Sequence, residues 1–131
     1  MPTTTSTRKP AKSRLSAEQI AVCEARALYE TIKAATDAEL AKPENAVTDD
    51  MADDAVEALY VRHEEILDAA GYYVAKDALY AAERTVVAWC IEHAKGYSPT
   101  HAALLTDMHA RAEKSVVYWP RLVELAMKLA A

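Results

Sequence analysis

Cysteine, histidine and carboxylate side chains are the groups from which a small protein can build a metal centre, and this chain spaces several of them at helical intervals. Cys90, His93 and His101 follow one another as C-x2-H-x7-H. Helical periodicity sets Cys90 one turn from His93, and a turn at Gly96 to Ser98 would bring His101 into the same layer. Asp53 or a neighbouring acid could supply a fourth ligand. Thiolate, imidazole and carboxylate together suit zinc or another transition metal in tetrahedral geometry. One reading of the chain is therefore a metal-binding protein using Cys90, His93, His101 and Asp53. The competing reading needs no cofactor: both histidines end helices or sit in a partly wet core, where a helix C-terminus favours a cationic ring. His63 falls between Leu59, Ile66 and Leu67 on an apolar face, as a satisfied core histidine would. His109 sits at the border of another such face.

Catalytic patterns are sparse. The sequence has no glycine-rich phosphate loop, no nucleophile-elbow serine, no HExxH pair and no Glu-x-x-His pairs of di-iron bundles. Glu83 lies on an otherwise apolar side with Lys76 seven residues before it, a placement open to a general base or a salt bridge. The balance points away from an enzyme, and no segment carries a motif specific enough to name a family.

Charge is the clearer signal. Residues 37–57 hold Asp37, Glu39, Glu44, Asp49, Asp50, Asp53, Asp54 and Glu57 against the single base Lys42, a net charge of −7. Acids at a helix start are stabilising in themselves, yet fewer than eight would meet that need. Such a segment creates a field that attracts a basic partner. Residues 1–15 are the converse, with Arg8, Lys9, Lys12 and Arg14 and no acid, so a net −5 conceals a +4 arm on a −9 body. An acidic body repels the phosphate backbone, which argues against direct nucleic-acid binding. The turn at Gly71 also fits a helix-turn-helix poorly, because Leu67 and Asp77 stand where a small and an apolar residue are needed.

Elements to position these groups follow from composition. Only two glycines and five prolines interrupt 131 residues, so the elements are few and long. Ser16-Ala-Glu-Gln19 is a capping box that opens a first helix, with Ile20, Cys23, Ala27, Leu28, Ile32 and Ala35 as its apolar face. Pro43 ends it near Ala41. A second helix is expected from a Thr48 cap to Gly71, buried through Ala52, Val56, Leu59, Ile66, Leu67 and Ala70. A third runs from Tyr72 to Lys95 and stops at Gly96 by the same left-handed device. Its main face is Tyr72, Ala75, Leu79, Ala82, Val86, Trp89 and Cys90. Ser98-Pro99 starts a fourth, with a stripe of Leu105, Met108, Ala112, Val116 and Trp119 that Pro120 must kink or break. Residues 121–129 form a short fifth.

The expected fold is all-α: an up-down antiparallel bundle of four long helices plus a short C-terminal helix after Pro120, over residues 16–131, preceded by a disordered basic arm at 1–15. Neither a secretory leader nor a membrane span is legible, and two isolated cysteines suit a reducing compartment, so the expected setting is cytoplasmic. Seven tyrosines and no phenylalanine favour half-wet surfaces. The leading functional reading is a non-catalytic, regulatory interaction module that binds a basic protein partner through the acidic segment, one version being an inhibitor that mimics nucleic acid. A metal-binding protein and a structural homo-oligomer are the alternatives.

Overall fold

A computed structural model describes residues 15–131; the expected basic arm lies outside the described residues except for Leu15. Among these the chain is all-α, a helical bundle of five helices: α1 (Ala17–Leu40), α2 (Asp53–Ala69), α3 (Tyr72–Lys95), α4 (Pro99–Glu113) and α5 (Trp119–Ala130), with a 3-10 turn at Pro43–Asn45. No helix among the described residues is long and apolar enough to cross a membrane. The chain divides into two compact units, residues 24–80 and residues 15–23 with 81–131; the divisions fall inside α1 and α3, whose helices continue unbroken.

The unit of residues 15–23 and 81–131 carries a dense apolar core. Val22, Val86, Val87, Cys90, Leu105, Leu122, Val123 and Ala126 are wholly buried. The capping box forms as its spacing requires: the Ser16 amide donates to Gln19 Oε1 at 2.8 Å and the Gln19 amide to Ser16 Oγ at 3.1 Å. The end of α4 differs from expectation. The helix stops at Glu113, well before Pro120, because Ser115 adopts φ 60° and closes the helix with Ser115 N donating to the Ala112 carbonyl and Val116 N to the Arg111 carbonyl. This is the two-bond C-terminal motif that glycine normally serves. Pro120 then sits in the first turn of α5, where its missing N–H is of no consequence. Val116 is consequently exposed, and Trp119 belongs to α5 rather than to the α4 stripe. Gly96 ends α3 without the left-handed conformation expected of it, and Ser98, although at the N-cap of α4, makes no side-chain capping bond. The Tyr97 hydroxyl donates to the Ala130 carbonyl at 2.9 Å, tying the α3–α4 connection to the last turn of α5.

In residues 24–80, Gly71 takes φ 77° between α2 and α3, as its position predicts. The start of α2 is later than expected. Thr48 caps no helix; its hydroxyl donates to Asp50 Oδ1 at 2.6 Å in a turn, and Ala52 occupies the N-cap. Of the expected apolar face of α2, Val56, Leu59, Ile66 and Leu67 are half-buried, as is His63, while Ala52 and Ala70 at its ends are exposed, and no residue of this helix is fully buried.

The rotation of α1 is a further correction. Of its expected apolar face only Ile32 is half-buried, while Ile20, Cys23, Ala27, Leu28 and Ala35 are exposed. The buried arc instead carries Gln19, Val22 and Thr36, with Tyr29 and Ile32 half-buried. Val22, Tyr29 and Ile32 give this arc apolar area of its own, so helical periodicity alone does not decide which arc turns inward.

Candidate functional site: an acidic, tyrosine-bearing helical segment

All eight acids of residues 37–57 fall in the unit of residues 24–80, and so does the whole net negative charge of the body. This unit contains fourteen acids and five bases, a net −9, whereas residues 15–23 with 81–131 hold six of each. Two of the eight are neutralised locally. Lys33 Nζ lies 2.7 Å from Asp37 Oδ2 and Lys42 Nζ 2.7 Å from Glu39 Oε2, and each carboxylate raises its lysine's pKa by accepting that hydrogen bond. The Thr48 hydroxyl holds the Asp50 carboxyl below its ordinary range by donating to the charged form. Glu44, Asp49, Asp50, Asp53, Asp54 and Glu57 are exposed and form no ion pair among the described residues.

The residue that organises this segment is Asn45, which sequence patterning did not single out. It is 1% exposed. Its Nδ2 donates to the Glu39 carbonyl at 2.8 Å, its Oδ1 accepts from Arg62 Nε at 2.5 Å, and its carbonyl accepts from His63 Nε2 at 2.7 Å. One side chain and one carbonyl thereby tie the end of α1 to α2. The carbonyl can only accept, so His63 Nε2 carries a proton, and this histidine is satisfied within the fold as its apolar setting predicts. The only sequence signal for Asn45 is its place after Pro43, in a segment where asparagine is an ordinary turn residue.

Five of the seven tyrosines lie in the same unit. The Tyr29 and Tyr72 hydroxyls meet at 3.2 Å, and this bond, reinforced by burial, pushes the Tyr29 phenol up to about 12. Tyr73 packs edge-on against Tyr72 and donates to Glu64 Oε2 at 2.6 Å, which raises its own pKa. The Lys76 ammonium rests over the rings of both Tyr72 and Tyr80, at 5.9 and 5.8 Å, a cation–π arrangement. Tyr60 stands edge-on to His63 and is 56% exposed.

The Cys/His set is placed differently. Cys90 is wholly buried, and burial pushes its thiol up to about 11. His93 lies flat against Trp89 with ring centroids 4.5 Å apart and meets the edge of Tyr97. His101 is half-buried in the first turn of α4, and Asp53 belongs to the other unit. No three His, Cys, Asp or Glu side chains among the described residues are grouped to hold a metal ion. The spacing of Trp89 and His93 equally stacks two rings one turn apart on α3, with Tyr97 meeting the pair edge-on from just past the helix end. Glu83 is buried at 2% exposure. His109 stands edge-on to Trp119 and 3.5 Å from Glu113 Oε1, the oxygen that also accepts from Arg84, whose guanidinium covers the Trp119 ring at 5.2 Å. Comparison with protein-family models, curated proteins and solved structures returns no match to this chain.

Proposed function

We propose that this protein is a non-catalytic helical interaction module, acting in the cytoplasm, that binds a basic macromolecular partner through the acidic surface of residues 37–57 and its neighbouring tyrosines. The basic residues Arg8, Lys9, Lys12 and Arg14 serve as a secondary tether. The observation that carries the reading is the confinement of charge: six exposed acids without ion pairs among the described residues, in a unit of net −9, whereas residues 15–23 and 81–131 hold six acids and six bases. Fixed negative charge of this density raises the encounter rate with a cationic surface and loses force as salt screens it. A partner that ordinarily holds nucleic acid in a basic groove offers the matching field, and the module would occupy that groove as a competitor.

The test is capture of the partner from the native host on the C-terminally tagged protein, with elution by stepped salt. A stoichiometric protein released at moderate salt is the expected outcome, and Asp49→Lys with Asp53→Lys should lower the salt at which it leaves. Affinity unchanged by this double reversal would remove residues 37–57 from the interface.

A further inference from the structure

Helix α2 has no fully buried residue in its seventeen, and twelve of them are exposed. Asp54, Glu57, Val61, Glu65 and Asp68 succeed one another at steps of three, four, four and three residues, all exposed, so they form one row along roughly 21 Å of helix at 1.5 Å per residue. Val61, at the centre of the row, is 58% exposed, and Tyr60 beside it 56%. Folding accounts for only the first part of this row. Asp54 lies in the first turn, where the helix dipole favours an acid, whereas Asp68 lies in the last, where no base offsets it. Glu65 and Asp68, like Asp54 and Glu57, are like-charge neighbours on the helix surface, an arrangement that disfavours the helix. The only base of α2, Arg62, is bonded to Asn45. Nearby on α3, the Lys76 cation resting on Tyr72 and Tyr80 shows the kind of group that the tyrosines of this unit accommodate.

We infer that the outer face of α2 docks a basic amphipathic helix of the partner, a reading that rests on the interaction module proposed above and extends its surface beyond residue 57. Charge complementarity selects the occupant. A second copy would set acid against acid, and a nucleic acid would set phosphate against carboxylate. A helix carrying Lys or Arg at matching three- and four-residue steps meets the acids, and one apolar residue among them covers Val61.

The experiment titrates two fluorescein-labelled alanine-based peptides, each about as long as α2, into the full chain and follows anisotropy. One carries arginines at three- and four-residue steps around a central leucine. The other has the same composition with its arginines spread round the helix. The striped peptide is expected to bind about tenfold tighter than the spread one, and Glu57→Lys with Glu65→Lys to remove about tenfold of that affinity. The doubly reversed protein should in turn prefer a striped peptide with glutamate in place of arginine, while circular dichroism shows undiminished helix. Equal binding of the two peptides, or full affinity in the reversed protein, overturns the inference. Capture from the host separates this inference from the reading beneath it. If Asp49→Lys with Asp53→Lys releases the partner early and the α2 variant does not, the acidic segment stands and the α2 face falls. If the α2 variant alone releases it early, the α2 face stands, and residues 37–53 leave the interface.

Discussion

Residues 24–80 bury two apolar side chains, Ala75 and Leu79, against twelve in residues 15–23 and 81–131, and they carry all of the body's net charge. In the neutral unit, interdigitated valines, leucines and alanines determine the packing. In the acidic unit polar links take over: Asn45 to Glu39, Arg62 and His63, Tyr29 to Tyr72, and Tyr73 to Glu64. One chain thus uses two means of holding helices together. Apolar burial is insensitive to direction, whereas hydrogen bonds in a wetter setting have directional demands and contribute less each. The lesson is that a surface kept rich in acids leaves less apolar material for a core, and a few well-placed polar contacts then position its helices.

Truncation in the two units should separate these modes most sharply. Leu122→Ala removes a wholly buried side chain and is expected to destabilise by about 3 kcal/mol, whereas Leu59→Ala on half-buried α2 should cost about 1 kcal/mol. Urea denaturation of both variants checks this, and equal losses would break the contrast. Next in size is Asn45→Ala, which leaves the Glu39 carbonyl and Arg62 without their bonds at a buried point and should destabilise by about 2 kcal/mol. A loss within a few tenths of zero would show that the acidic unit does not depend on this hub.

Backbone substitutions rank third. Ser115 holds φ 60°, so Ser115→Gly should stabilise by about 1 kcal/mol, and Gly71→Ala, at φ 77°, should destabilise by about as much. Thermal melts of the two variants should move in opposite directions. The smallest effect is alkaline. Tyr29 titrates near 12 in the folded chain against 10.0 for the free phenol, so the unfolded chain loses this proton first. The stability contributed by the Tyr29–Tyr72 pair is complete below pH 10 and is lost as pH rises through about 12. Tyrosinate absorbance at 295 nm should show a late-titrating phenol that Tyr72→Phe returns toward 10.

Much of the fold was legible because local chemistry announces helix ends. The Ser16–Gln19 box, Gly71, the Tyr72 to Lys95 span and Pro99 all act through groups within four residues of one another. What escaped depends on competition between distant groups. Periodicity marks Ile20, Cys23 and Leu28 as the inner face of α1, yet the buried residues are Gln19, Val22 and Thr36, because the neighbours packed against a helix, and not its own pattern alone, decide which arc turns inward. Pro120 looks like the breaker of α4 because nothing local shows that Ser115 has already ended the helix; a serine at positive φ has no sequence signature. For the candidate site, the acids and their exposure followed from composition. Asn45 did not, since a turn asparagine looks the same whether it is solvated or bonded to two helices. The Cys90, His93 and His101 spacing identified residues near one another in sequence but not their partners, and His93 stacks on Trp89 and meets the edge of Tyr97.

The placement of the indoles has an optical consequence. Trp89 and Trp119 both lie in the neutral unit, and residues 24–80 hold five of the seven tyrosines and no tryptophan. Tryptophan emission excited at 295 nm therefore reports one unit alone, while near-ultraviolet tyrosine dichroism weighs toward the other, so the native chain carries two separable spectroscopic channels without a label. Coincident melting curves in the two channels would make the molecule one cooperative body, and an earlier tyrosine transition would show the acidic unit opening by itself.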